Sequence, residues 1–227
     1  MPNSESEALC RRLAYTFRDR ALLTRALTHR SKAAEHNERL EFLGDSVLNL
    51  VISTELYDRF PALAEGELTR LRASLVRKPT LALHARALEL GQCIELGGGE
   101  LKSGGYDRDS ILADALEAVF GAIYKDSGLQ EVTRVINQLY RQNLADLDPN
   151  AVPKDPKTRL QEYLQKHSLP TPSYQILDVT GEAHSQNFVI ECHVNSLSEA
   201  VRGEGNSRRA AEQQAAERVL AVLERAS

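Results

Sequence analysis

NERLEFLGDSVLNLVISTELYDRF, residues 37–60, reads as one amphipathic helix. Leu40, Leu43, Val47, Leu50 and Val51 recur at the spacing of a buried helical stripe, Asn37 is the candidate N-cap, and Pro61 stops the pattern. Glu38, Glu41 and Asp45 fall three and four residues apart, so at about 100° per residue their carboxylates share roughly a 60° arc. Acids so placed repel one another, and Arg39 and Arg59 are badly placed to neutralise all three. A solvated acidic face and a divalent-cation site would each account for them. A second acidic pair further along the chain favours the cation.

The chain has 227 residues, enough for one large or two small domains, each with a core. Hydrophobic residues at 42% and charged residues at 26% place it among globular proteins, while the lack of Trp argues against a sugar-stacking or membrane-belt protein. The opening MPNSESEALCRRL has no apolar leader core and no long apolar run follows, so a cytoplasmic protein with no membrane segment is expected. Cys10, Cys93 and Cys192 are scattered thiols without CxxC spacing; they suit a reducing compartment and read as structural. The net charge of −4, taken alone, counts against a nucleic-acid partner, so the local distribution of charge has to decide.

Residues 8–17 and 20–28 read as two short helices, followed by a basic loop, His29, Arg30, Ser31 and Lys32. That loop is either plain surface or a contact for a polyanion. After Pro61 come Glu65 and Glu67, a helix carrying Leu68, Leu71, Leu75 and Val76, and another over 79–90 ended by Gly91. Arg70, Arg72, Arg77 and Lys78 read as a solvated positive face. GGGELKSGGYDRDS, residues 97–110, reads as a flexible loop leading into the helix ILADALEAVFGAIYKDSG, residues 111–128. Asp114 and Glu117 stand one turn apart there among apolar residues, with no Lys or Arg four residues on to pair with them. Burying such acids without a partner is costly.

DLDPNAVPKDPK, residues 146–157, is rich in Pro and Asp and has no periodicity, which marks a linker. Beyond it the order is helix, three antiparallel strands, helix. Phe188, Ile190, Cys192 and Val194 alternate with Val189, Glu191 and His193 as a half-buried strand does, and Leu160, Tyr163, Leu164, Ala211, Ala215, Val219 and Leu220 would cover one sheet face.

Glu41, Asp45, Asp114 and Glu117 come from two helices whose apolar stripes must meet one core, so their acidic faces can converge. Four hard oxygen donors suit Mg²⁺, or Mn²⁺, and the lack of His or Cys argues against zinc. Such a site serves phosphoryl chemistry, activating water, neutralising a phosphate and, through a second ion about 4 Å away, stabilising the leaving oxygen. Phosphodiester hydrolysis is the natural reaction, since no GxxxxGK[ST] or GxSxG is present. A small-molecule phosphohydrolase would leave the C-terminal unit without a purpose. In that unit Arg208 and Arg209 open the last helix, a setting for phosphate. Thr158, Gln161, Glu162 and His184 are short-reach polar groups fit for 2′-hydroxyls across an RNA minor groove. Each alone is ordinary surface; together they favour double-stranded RNA.

NERLEFLGDSVL at 37–48 resembles the signature of bacterial ribonuclease III, and ILADALEAVFGAIYKDSG is similar to its second catalytic segment. DPKTRLQEYLQ at 155–165, GEAH at 181–184 and SRRAAEQQAAERVL at 207–220 resemble a double-stranded-RNA-binding domain. The resemblance implies an all-α endonuclease domain over 1–146, a linker over 147–154 and a small α+β (α-β-β-β-α) RNA-binding domain over 155–227. It implies a Mg²⁺-dependent endoribonuclease acting as a homodimer on double-stranded RNA, leaving 5′-phosphate and 3′-hydroxyl ends and processing rRNA precursors and structured mRNA. By position, Glu41, Asp45, Asp114 and Glu117 match the metal-binding acids, Asp45 and Glu117 being most tied to catalysis; Glu38 and Glu65 match outer acidic positions. Phe42, apolar between acids, is the expected dimer anchor. Two departures stand out: Gly181, Glu182, Ala183, His184 replaces a loop that often reads Gly-Pro-x-His, and Ala210 stands where a third basic residue is common. Weaker or more salt-sensitive RNA binding is expected from both. The alternative is a non-catalytic double-stranded-RNA-binding protein on the same fold, which should have lost acids at 45 or 117.

Overall fold

The computed structural model describes residues 4–149, 155–181 and 186–226. Contacts divide the chain into two compact units, Met1–Val152 and Pro153–Ser227.

The first unit is helical: α1 (Ser4–Arg12), α2 (Arg20–Leu27), α3 (Glu38–Arg59), α4 (Glu65–Val76), α5 (Lys78–Ala87), α6 (Gly98–Lys102), α7 (Asp109–Leu139) and α8 (Arg141–Ala145). Its core is built on α3 and α7, where Leu48, Ile52 and Leu56 meet Leu112, Leu116, Phe120 and Ile123, all fully buried. Each fully buried side chain of this size contributes about 1.5–3 kcal/mol by leaving water. The two helices approach backbone to backbone at Gly44 and Gly121, where no side chain would fit. Gly128, at φ +81, breaks α7, so the chain leaves the helical path there and resumes it.

Several local expectations change. The first helix ends at Arg12 rather than 17, because Ala14 takes a positive φ of 49 and turns Tyr15 and Phe17 into the core, ring edge to ring face at 4.9 Å. Asn37 precedes α3 but is itself helical (φ −81, ψ −16) and caps nothing with its side chain; it is buried, with its N–H bonded to the Thr28 carbonyl. Leu50 faces outward, 52% exposed, because the buried arc of α3 runs through Gly44, Leu48 and Ile52. Residues 97–110 are not an open loop: they form α6 and a short 3₁₀ turn, and a Cβ on Gly105 would come within 2.7 Å of the Glu100 side chain. Cys93 and Cys192 are buried and Cys10 is half-buried; all three are free thiols, and burial pushes Cys93 up to about 11.

The second unit runs α9 (Pro156–Lys166), β1 (Ser173–Thr180), β2 (Asn187–His193), β3 (Val201–Gly205) and α10 (Arg208–Ala226). The strands form one antiparallel sheet in the order β1-β2-β3, with Tyr174 opposite Cys192, Ile176 opposite Ile190, and a bulge between Ile176 and Asp178. Leu160, Leu164, Ile190, Cys192, Ala215 and Val219 are all fully buried, so the sheet's inner face lies under α9 and α10 as the period-two pattern requires. Gly203 lets α10 lie against the sheet, since a Cβ there would sit 2.3 Å from the Ala215 nitrogen.

Candidate functional site

The close crossing of α3 and α7 brings Glu41 of the first helix beside Asp114 and Glu117 of the second. One carboxylate oxygen from each lies within 4.8 Å of the others. They sit in a cavity of about 780 Å³ lined also by His29, Arg30, Glu38, Phe42, Asp45, Arg77, Lys78, Glu100 and Arg108.

Crowding shows in the proton affinities. Burial, and then the charges of Asp45, Asp114 and Glu41, push the Glu117 carboxyl up to about 8, while Lys78 works against the rise. Burial and Asp114 likewise raise Glu41. Near neutral pH the cluster therefore keeps a proton on Glu117, which relieves part of the repulsion among its acids. All the donors are carboxylate oxygens at a spacing a small divalent cation can bridge, and the same cation would relieve the remaining repulsion. The chemistry of the set therefore fits Mg²⁺ or Mn²⁺.

The other sequence candidates divide. Asp45 lines the cavity and is the strongest charge acting on Glu117, yet its carboxylate stands outside the trio: Asn49 donates to its Oδ1 at 2.8 Å and to its backbone carbonyl at 2.9 Å. Glu38 lies at the rim, paired with Arg30 at 3.2 Å. Glu65 does not line the cavity; it starts α4 and accepts from the Thr69 hydroxyl at 2.9 Å. Phe42 is 77% exposed at the cavity edge.

Four charged residues in the cavity were not legible as site residues, Arg77 among them. Lys78, read as part of a solvated face, donates to Asp114 Oδ1 at 2.9 Å. Glu100 and Arg108, read as loop, pair at 2.5 Å and also line the cavity. No helical spacing links Lys78 to Asp114, 36 residues away, so only packing reveals the pair.

In the second unit, Thr158, Gln161, Arg208 and Arg209 line one groove with Asp155, Lys157, Glu212 and Gln213. Glu162 is exposed on α9 outside that lining, and His184 lies outside the described residues. The Thr158 hydroxyl donates to Asp155 at 2.8 Å. At the start of α10 Glu212, buried at 8% exposure, takes Arg208 at 2.9 Å and Lys157 at 2.5 Å, so one of the two arginines read as a setting for phosphate already has a carboxylate partner. Burial alone would raise the Glu212 carboxyl, but the hydrogen bonds from Lys157 and Arg208 hold it below its ordinary value. Among the described residues Arg209 enters no such pair; it lines the groove, where its charge acts on Asp155.

Residues 19–144 match a family model described as Ribonuclease-III-like, and residues 156–223 match the double-stranded RNA binding motif. The chain is 56% identical over 216 residues to Ribonuclease 3 of Photorhabdus laumondii, an alignment spanning 95% of this chain and 96% of that one. The nuclease domain of ribonuclease III from Campylobacter jejuni is similar at 42% identity and a TM-score of 0.61, over 65% of this chain and 100% of that one. A second structure of that domain, described as flexible in a region involved in dimer formation, is similar at 43% identity and a TM-score of 0.60, over 60% and 96% of the two chains.

Proposed function

The chain belongs to the ribonuclease III family and is a double-strand-specific endoribonuclease; we propose that it cuts with Mg²⁺ held by Glu41, Asp45, Asp114 and Glu117. The observation that carries this reading is the convergence of Glu41, Asp114 and Glu117 within 4.8 Å in one cavity. When bound there, the ion supplies Lewis-acid polarisation of the scissile phosphate and activation of the attacking water.

The residues themselves do the rest. The trio would offer the oxygen ligands, and Glu117, whose carboxyl is raised by burial and by its acidic neighbours, would have to be ionised to serve as one. Asp45, whose charge already acts on Glu117 from the cavity wall, would add the fourth oxygen ligand by leaving Asn49. Glu38 and Glu65 are assigned as outer acids that shape the surrounding field, Glu38 through its pair with Arg30. The C-terminal unit presents Thr158, Gln161, Glu162, His184, Arg208 and Arg209 to the duplex, the arginines to phosphate and the others to the minor groove.

We assign residues 1–146 to catalysis, 147–154 to the linker and 155–227 to RNA binding. The working unit is a homodimer with Phe42 as an anchor, supported by the exposure of this ring at the cavity edge. Products carry 5′-phosphate and 3′-hydroxyl ends, and the substrates are rRNA precursors and structured mRNA in the cytoplasm. Among the described residues no helix is long and apolar enough to cross a membrane. A purely binding role is disfavoured because neither Asp45 nor Glu117 has been lost.

The test is a long RNA duplex incubated with the full chain, with and without Mg²⁺, and read for fragment size and end chemistry. Glu117→Gln should bind the duplex as the parent does and cut it at least about a hundredfold more slowly. Cutting at the parent rate would remove the assignment of the acids.

A further inference from the structure

We propose that Lys78 is a built-in counter-ion of the acidic trio, so that a divalent cation enters by exchange, displacing the Lys78 ammonium from Asp114. The inference rests on the metal site proposed above and names what occupies the cluster's field before the metal arrives.

Lys78 is the first residue of α5, where Pro79 sets the opening turn. Its side chain is 60% exposed, and the end that is tied is the ammonium, at 2.9 Å from Asp114 Oδ1. The same charge favours the ionised forms of Glu41 and Glu117, so it acts on all three members of the trio. The other cavity cations are committed elsewhere: Arg30 pairs with Glu38 at 3.2 Å, Arg108 pairs with Glu100 at 2.5 Å, and Arg77 bonds the Thr80 hydroxyl at 3.3 Å. Among the described residues, Lys78 alone forms an ion pair inside the trio.

An ammonium and a divalent ion drawn to the same oxygens repel each other, so they compete for the cluster. The exposed stem makes that competition reversible. A lysine tail lying in solvent can withdraw without unpacking anything, and an exposed ion pair of this kind holds it only weakly. Lys78 therefore does two opposing things: it lowers the repulsion among the acids when no metal is present, and it raises the metal concentration needed to fill the site.

The experiment measures Mn²⁺ binding to the full chain without RNA, by electron paramagnetic resonance of the free ion, for the parent, Lys78→Gln and Lys78→Arg. Thermal melting in EDTA is recorded on the same samples. Lys78→Gln should bind Mn²⁺ about fivefold more tightly than the parent and melt at a lower temperature in EDTA. Lys78→Arg, which keeps the charge, should bind Mn²⁺ like the parent. Mn²⁺ affinity unchanged or weakened in a folded Lys78→Gln, with the parent binding normally, would overturn the exchange. A parent that binds no Mn²⁺ would instead remove the metal site on which the inference stands.

Discussion

Gly44 and Gly121 make the acidic cluster by letting two backbones touch. A Cβ on Gly44 would lie 1.7 Å from the carbonyl oxygen of Glu117, and one on Gly121 would lie 2.2 Å from that of Leu40. Glu41 and Asp114 sit within a turn or two of this crossing and Glu117 sits at it, so the spacing of the acids depends on how closely the helices approach.

Replacing either glycine by alanine should therefore do more than destabilise. Gly44→Ala should cost about 2–4 kcal/mol, as overpacking against backbone cannot be relieved by a rotamer change. It should also weaken Mn²⁺ binding, because the helices must separate. Melting temperature and metal titration on one sample check both parts. A variant that binds metal like the parent would show that the crossing does not set the cluster.

The proton on Glu117 gives the metal-free protein a distinctive pH response. A carboxyl raised from 4.5 to about 8 holds its proton more tightly folded than unfolded. Its contribution to stability is thus complete below about pH 4.5 and is lost as pH rises through about 8. Glu41, also raised, adds in the same direction. In EDTA, Glu117→Gln should melt several degrees above the parent at pH 9 and close to it at pH 5, on the order of 1–3 kcal/mol once partial solvation is allowed for. Equal melting curves at pH 9 would contradict the shift.

Asp45 is the largest charged contributor to that raised carboxyl, though its Oδ1 accepts from Asn49. Asp45→Asn should lower the Glu117 titration midpoint, followed by carboxyl-carbon NMR without metal. An unmoved midpoint would mean that Asp45 acts on the site by some route other than its charge.

Arg208 and Arg209 are neighbours with different surroundings, since Glu212 already holds Arg208. Arg209→Gln should weaken duplex binding uniformly across sequences and reduce the slope of log affinity against log salt by about 1. Arg208→Gln should change the slope by less. Equal changes would mean that RNA draws Arg208 away from Glu212.

Phe42 presents 77% of its surface to solvent beside the cavity. If it anchors a second copy, Phe42→Ala should raise the dimer dissociation constant by about tenfold or more in sedimentation experiments. An unchanged constant would place the anchor elsewhere.

Much of this architecture was legible residue by residue, because helical and strand periodicities are properties of one element at a time. The apolar spacing around Val47 and Val51, the break at Gly128, the alternation of Ile190 with Glu191, and the acids one turn apart at Asp114 and Glu117 all belong to single segments. Where the reading failed locally, a neighbour had intervened: Leu50 was displaced outward because Gly44 claims the centre of the packed arc, and Asn37 gave its backbone to Thr28 instead of acting as a side-chain cap.

By itself the sequence determined two units, their elements and which acids were available to a metal. Tertiary structure alone decided which of them meet: Glu41 with Asp114 and Glu117, Asp45 held to one side, Lys78 against Asp114, and Glu212 across Arg208 and Lys157. The reason is physical. Spacing along one helix sets directions about its own axis, whereas a distance between two helices depends on the depth and register of their contact, which all the packed residues settle together.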